Sequence, residues 1–269
     1  MCGIVGIYLK SKKFEKSLGG MLSKMLVSME SRGPDSAGFA IYNSDKNKTY
    51  KYSICLNEMS FEKFKKEIKK KVKFSSVEKN SDHIILKSIE KPNKILPILE
   101  SYEKISLVGY GKSIEIFKQV GSPSNVVKKF NLDNFSGTHA IGHTRMATES
   151  AVTTAGSHPF ATGADLCLVH NGSLSNHNIL RRNLEREGIR FQTENDTEVA
   201  GAYLTWKLRS GATLRQALED SIQELDGFYT FCIGTQNGFA VVRDPIACKH
   251  AVLAETEDWV AMATEFRAI

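Results

Sequence analysis

Apolar positions divide the chain into three textures. Residues 3–9 form an unbroken apolar run of strand length, read as a buried strand. Leu18, Met21, Leu22, Met25, Leu26 and Met29 then recur at helical spacing. They predict an amphipathic helix over about 15–30, with the Met-rich stripe used for core packing. The turn-forming run Arg32-Gly33-Pro34-Asp35-Ser36-Ala37-Gly38 ends that helix, and residues 39–42 begin a second strand.

The texture changes over 44–130. Residues 61–72 read as a surface helix, with Glu62/Lys66 and Glu67/Lys71 four apart. Residues 83–89 and 105–109 read as strands, with a helix near 96–102 between them and a short helix over 124–130. Apolar residues recur throughout this segment, so it is expected to be an elaboration of one domain and not a linker. After Gly137 a strand is expected at 139–144, a long polar loop at 147–159, and a strand at 166–170 running into Asn171-Gly172. Helices follow at about 175–187, 196–209 and 213–225, then strands at 228–234, 238–243, 250–253 and 259–263. Strands, then helices, then strands imply two sheets covered by helices. No internal repeat or low-complexity tract appears.

Composition narrows the class. Hydrophobic residues make up 41% and charged residues 25% of 269 residues, ordinary for a soluble globular chain of one large or two small domains. The net charge of +6 is unevenly placed. Residues 44–130 hold 19 Lys, no Arg and 10 acids (+9), while the remainder holds 17 Lys and Arg against 20 acids (−3). A nucleic-acid surface would mix Arg and aromatic residues into such a patch. The segment reads instead as a solvated Lys-rich face, and no nucleic-acid partner is expected. Five cysteines, an odd count without a CxxC pair, fit a disulfide framework poorly. The opening apolar run is too short and lacks the basic leader of a signal peptide, and no apolar stretch approaches membrane-spanning length. A cytoplasmic location, with no membrane association, is expected.

The candidate chemistry begins at Cys2. With Met1 removed, Cys2 carries both a thiol and a free α-amine. A free Cys has a pKa of about 8.5 and a terminal amine one of about 7.7–8.0, so one residue can supply nucleophile and base. The bland alternative is an ordinary cysteine opening an apolar strand, and four further blocks decide against it. Cys2-Gly3-Ile4-Val5-Gly6, Arg32–Gly38, Gly142-His143-Thr144-Arg145, His170-Asn171-Gly172 and Asn195-Asp196-Thr197-Glu198 occur in that order. Together they resemble the class II glutamine amidotransferases, which are N-terminal-nucleophile hydrolases. The resemblance covers roughly 1–42 and 136–269. It implies an α+β fold, the four-layered αββα sandwich, as a single domain over 1–269 with a Lys-rich insertion at about 44–130.

The resemblance also implies roles. Cys2 is the nucleophile, and Asn171 and Gly172 supply the oxyanion hole. L-Glutamine is the substrate, with Arg145 gripping its carboxylate, Thr148 adding a hydroxyl donor and Asp196 taking its ammonium. Arg32 supports the nucleophile end. Each residue has an ordinary structural reading as well: a salt bridge for Arg145, a turn for Asn171-Gly172, a helix N-cap for Asp196. His143, His158 and His170 suggest a metal, but no HExxH or Cys/His ligand cluster backs one, so neither metal nor cofactor is expected.

The run Met146-Ala147-Thr148-Glu149 departs from the Trp-Ala-Thr-His of the sugar-phosphate amidotransferases. Residues 142–159, 170–177 and 264–268 are closer to free-standing glutaminase subunits of glutamate-synthase-like and N-methylglutamate-synthase-type enzymes. No acceptor domain is recognised after these blocks, so the resemblance implies a separate synthase subunit that receives the ammonia. The alternatives are an N-terminal-cysteine hydrolase of another amide, and a non-catalytic regulatory subunit of the same fold.

Overall fold

Strand β1 (Gly3–Leu9) is buried along almost its whole length, which is why its sequence shows no polar alternation. Its side chains divide between two cores. Val5, Ile7 and Leu9 join the core built by a helical layer, whereas Ile4 joins the core shared with a second sheet. The computed structural model describes residues 2–43, 49–147 and 151–269. β1 lies inside a six-stranded antiparallel sheet ordered β13 (Val252–Glu255), β14 (Trp259–Ala263), β1, β8 (His139–Arg145), β2 (Ser36–Tyr42) and β7 (Ile114–Val120). A second, four-stranded sheet runs β12 (Gly238–Arg243), β11 (Gly227–Thr235), β10 (Leu166–Leu174) and β9 (Phe160–Gly163).

Three packed cores define the layers. Leu18, Leu22, Met25 and Leu26 of α1 (Leu18–Ser28) meet Val126, Val127 and Phe130 of α4 (Pro123–Phe130) on the outer face of the six-stranded sheet. Ile4, Tyr42, Ile141, Val169, Cys232 and Met262 fill the space between the two sheets. Leu168, Tyr229 and Phe231 face Val199, Tyr203 and Leu204 of α6 (Asp196–Arg209) and Leu184 of α5 (His177–Arg186). Ala217 of α7 (Leu214–Glu224) completes that layer. The order is helix, sheet, sheet, helix: a four-layered αββα sandwich. The apolar spacing of α1 produces this packing, but the helix begins at Leu18, after a 3₁₀ turn over Lys12–Ser17. Gly19 sets its approach to the loop beneath, since a Cβ there would sit 2.1 Å from the Leu132 carbonyl.

The Lys-rich stretch divides in two. Residues 114–130 join the sandwich as β7 and α4. Residues 50–111 build a third antiparallel sheet, ordered β4 (Ser76–Asn80), β5 (His83–Ser88), β3 (Tyr50–Cys55) and β6 (Ser106–Gly111). Its own core, including Tyr52, Ile54, Ile84 and Leu86, is covered by Phe64 and Ile68 of α2 (Phe61–Lys71) and Leu99 of α3 (Pro92–Glu100). The lysines of α2 cannot enter that core without leaving an ammonium unpaired, so they face solvent. Asp165 ties the two bodies together, accepting from the backbone of Lys112, Ser113 and Ile114 and from the Ser113 hydroxyl.

Candidate active site

Cys2 stands just before β1, and its backbone is held from two directions. Arg32 Nε donates to the Cys2 carbonyl at 3.0 Å, and Arg32 Nη1 lies 2.5 Å from Glu265 Oε1, beyond β14. The 3₁₀ turn Glu30–Arg32, after α1, and the segment after β14 therefore meet at Cys2. The Met146 N–H reaches Cys2 Sγ at 3.5 Å. Burial pushes the thiol pKa up; the Met146 N–H and the positive charges of Arg145 and Arg32 act in the opposite direction.

Arg145 ends β8, beside Cys2. Its side chain is buried, and Nη1 donates to the Ala151 carbonyl at 3.1 Å. Burial lowers its pKa, while the charges of Cys2, Asp35 and Asp196 favour the cation. Asp35 secures the strand end: its N–H donates to the Arg145 carbonyl at 3.1 Å, and its Oδ2 accepts the Ala147 N–H at 2.8 Å. Thr148 lies outside the described residues.

Asn171 and Gly172 come from β10 in the second sheet. Asn171 is buried, and its Nδ2 has no hydrogen-bond partner among the described residues. Gly172 adopts φ +148°, and a Cβ there would stand 2.0 Å from the Phe228 carbonyl. Only glycine fits that backbone and that space.

Asp196 is the first residue of α6. The cap is its neighbour: Asn195 has extended φ/ψ, and its side chain accepts the Thr197 N–H at 2.9 Å. Asp196 is thereby relieved of capping. Its Oδ2 accepts the Leu174 N–H at 3.0 Å, and its Oδ1 lies 3.6 Å from His170 Nδ1. Burial pushes the carboxyl up, but His170 and the Leu174 N–H outweigh it and hold the pKa at about 2.

A cavity of about 320 Å³ brings Cys2, Arg145, Asn171, Gly172 and Asp196 together, with Met146, Ser173, Phe228 and Lys249 also on its walls. His158 and His170 also line it, and His143 packs against them. His143 and His158 stack with centroids 3.9 Å apart, and His143 Nε2 bonds the His170 carbonyl at 2.8 Å. The Thr197 hydroxyl joins His158 Nε2 at 2.8 Å to His170 Nδ1 at 3.0 Å. Burial drives the His143 pKa down to about 3 and that of His158 well below its ordinary value, so both rings are neutral packing groups.

Asp35, Glu265 and the Met146 N–H were not singled out from sequence. Asp35 lies within the Arg32–Gly38 block, so its position carried a signal. A backbone N–H carries none, and the Glu265 contact appears only when the end of the chain returns to α1.

Comparison with known proteins places the chain in a family. Residues 143–269 match the glutamine amidotransferase domain family GATase_7. The glutamine amidotransferase-like protein GlxB of Rhizobium meliloti strain 1021 is 50% identical over 273 residues, covering 100% of this chain and 91% of that protein. A glutamine–fructose-6-phosphate aminotransferase of Vibrio cholerae is 29% identical over 133 residues, covering 49% of this chain and 22% of that protein. A solved glutamine phosphoribosylpyrophosphate amidotransferase from B. subtilis superposes with a TM-score of 0.64 at 22% identity, over 99% of this chain and 42% of that one. The fold is thus that of the N-terminal-nucleophile amidotransferases, with the cysteine at the head of the central sheet. The chain belongs to the class II glutamine amidotransferases and is an enzyme of that family.

Proposed function

We propose that the chain is a glutaminase subunit that hydrolyses L-glutamine to L-glutamate and ammonia, which passes to a separate synthase subunit. The observation that carries the reading is the charge layout of one cavity. A guanidinium (Arg145), a carboxylate held ionised (Asp196), a thiol (Cys2) and an unpartnered amide donor (Asn171) share about 320 Å³. A free α-amino acid with a side-chain amide matches that set: carboxylate to Arg145, ammonium to Asp196, carboxamide to Cys2.

Met1 is removed, exposing the Cys2 amine. The amine takes the thiol proton, and the thiolate attacks the carboxamide carbon. Negative charge on the carbonyl oxygen is received by Asn171 Nδ2 and the Gly172 N–H. The C–N bond breaks, the amine's proton goes to the departing nitrogen, and ammonia leaves a thioester on Cys2. Water attacks the thioester, releasing glutamate and restoring the thiol. Arg32 and Glu265 hold the nucleophile backbone still through these steps.

The separate synthase is inferred from the likeness of 142–159, 170–177 and 264–268 to free-standing glutaminase subunits, and on this reading the protein acts in cytoplasmic nitrogen metabolism of the glutamate-synthase-like type. No helix among the described residues is long and apolar enough to cross a membrane. The third sheet, 50–111, is read as an insertion on a single amidotransferase domain over 1–269. The deciding experiment is glutamate release from L-glutamine by protein of verified mass lacking Met1, beside Cys2→Ala, alone and with lysate fractions that supply a partner. Release abolished in the variant supports the reading; no release in any fraction, with release from another amide, overturns it.

A further inference from the structure

A second cleft, of about 280 Å³, lies behind the glutamine cavity between the third sheet and the sandwich. Its walls are β6, β9, one face of α6, and segments 154–155 and 189–193. Lys118 lies at its buried end. Lys118 Nζ donates to the carbonyls of Ala155 at 2.9 Å and Ser157 at 2.8 Å and stands 4.5 Å from the Phe160 ring centroid. Burial draws its pKa down to about 8. Two of its three N–H donors are used on those carbonyls, which leaves one for an incoming group. Thr162 lines the cleft with its hydroxyl buried and without a partner among the described residues. Such an orphan polar atom is costly unless something else completes it.

The charges favour an anion. Arg190 and Arg209 are exposed lining residues that add to Lys118, against Glu100 and Glu198. Glu198 is already satisfied: it accepts the Gln192 N–H at 2.7 Å, the Thr193 N–H at 2.8 Å and the Thr193 hydroxyl at 2.7 Å. Glu100 is exposed at the end of α3.

The cleft shares a wall with the glutamine cavity. The 151–158 segment receives Lys118 on one side. On the other, the Ala151 carbonyl accepts from Arg145, and the Gly156 carbonyl accepts from Asn195 Nδ2 at 3.3 Å, next to Asp196. One short segment thus touches Arg145, assigned to the glutamine carboxylate, and Asn195, the neighbour of the Asp196 assigned to its ammonium.

We infer that this cleft is a binding site for a small anion, carboxylate or phosphate, held by Lys118, Thr162, Arg190 and Arg209, and that the bound anion tunes the glutamine cavity through the 151–158 segment. The binding half stands apart from the proposed glutaminase reaction; the tuning half rests on it.

Calorimetric titration of the whole chain with succinate, and separately with inorganic phosphate, tests binding. Saturable heat with one probe is expected and identifies the class. Thr162→Val and the double variant R190A/R209A should each weaken it about tenfold, the loss of a hydrogen bond to a charged group. The bound probe should also change the KM for glutamine at least twofold, and this change should vanish in Lys118→Met. The same shift should appear in the rate at which iodoacetamide alkylates Cys2, followed by peptide mass, a readout that needs no glutamine turnover. No heat with either probe, or heat undiminished in the double variant, overturns the site. Binding that moves neither KM nor the alkylation rate overturns the tuning.

Discussion

Asp196 Oδ1 lies 3.6 Å from His170 Nδ1, and its partner oxygen is held by the Leu174 N–H. The carboxyl pKa is therefore held at about 2 against the ordinary 3.8, despite burial. The stability this contributes is complete above the ordinary value and is lost as pH falls through about 2. At neutral pH the group is fully ionised in the fold. Asp196→Asn should raise the KM for glutamine about 10²-fold, because the ligand's ammonium loses its only carboxylate partner in the proposed pose. A KM within twofold of the parent would remove Asp196 from substrate binding.

The buried histidines act at milder acidity. His143 titrates at about 3 and His158 well below its ordinary value, both because burial penalises the charged ring. An unfolded His binds its proton near 6.5, so the unfolded chain takes up protons that the folded chain refuses. Stability should be complete above about pH 6.5 and decline steadily on acidification toward about pH 3. A urea midpoint that stays constant from about pH 7 to about pH 4 would contradict this.

Asn171 and Gly172 should separate catalysis from stability. Asn171 Nδ2 makes no hydrogen bond among the described residues, so Asn171→Ala removes a group that contributes little to the fold. Glutamate release should fall about 10²–10³-fold with little change in the denaturation midpoint. Gly172→Ala places a Cβ 2.0 Å from the Phe228 carbonyl at φ +148°, so it should also destabilise by about 1–3 kcal/mol or more. Equal stability of the two variants would refute the backbone argument.

Arg32 serves two acceptors in one plane, the Cys2 carbonyl and Glu265. A lysine ammonium cannot span both with the same geometry. Arg32→Lys should lower kcat about tenfold while leaving KM for glutamine unchanged, since in the proposed mechanism Arg32 positions Cys2 and is not among the residues that hold the ligand. A rise in KM with kcat intact would show that Arg32 acts on the substrate.

Leu22 tests the helical layer. It is fully buried on α1 against the six-stranded sheet, so Leu22→Ala should cost about 2–5 kcal/mol in chemical denaturation. A loss below about 1 kcal/mol would mean that α1 is not packed as described.

Most helices and strands of the sandwich could be read from the chain, because their apolar spacing reflects a face that must be buried. The stripe from Leu18 to Met29 and the runs at β1, β11 and β14 are of this kind. β3, β4, β7 and β9 did not stand out. β7 alternates Ile114 and Ile116 with polar Glu115 inside a Lys-rich context, and its place became plain only through its pairing with β2. β9 has four residues, too few to carry a period.

The site divides in the same way. The sequence by itself determined the residue types: a cysteine at position two, an arginine ending one strand, Asn-Gly after an apolar run, an aspartate at a helix start. These are local chemical requirements, and local sequence states them. That Asn171 and Gly172 stay inside β10, paired with β11, instead of ending the strand was decided by the sheet. Only the tertiary structure decided that they share one cavity, since β1, β8, β10 and α6 come from distant parts of the chain and meet across two stacked sheets. It also decided which neighbour caps α6, which carbonyls hold Arg145 and Lys118, and which charges set the state of Asp196. Those outcomes depend on distance and burial, which hydrogen bonding and electrostatics respond to and which linear order does not encode.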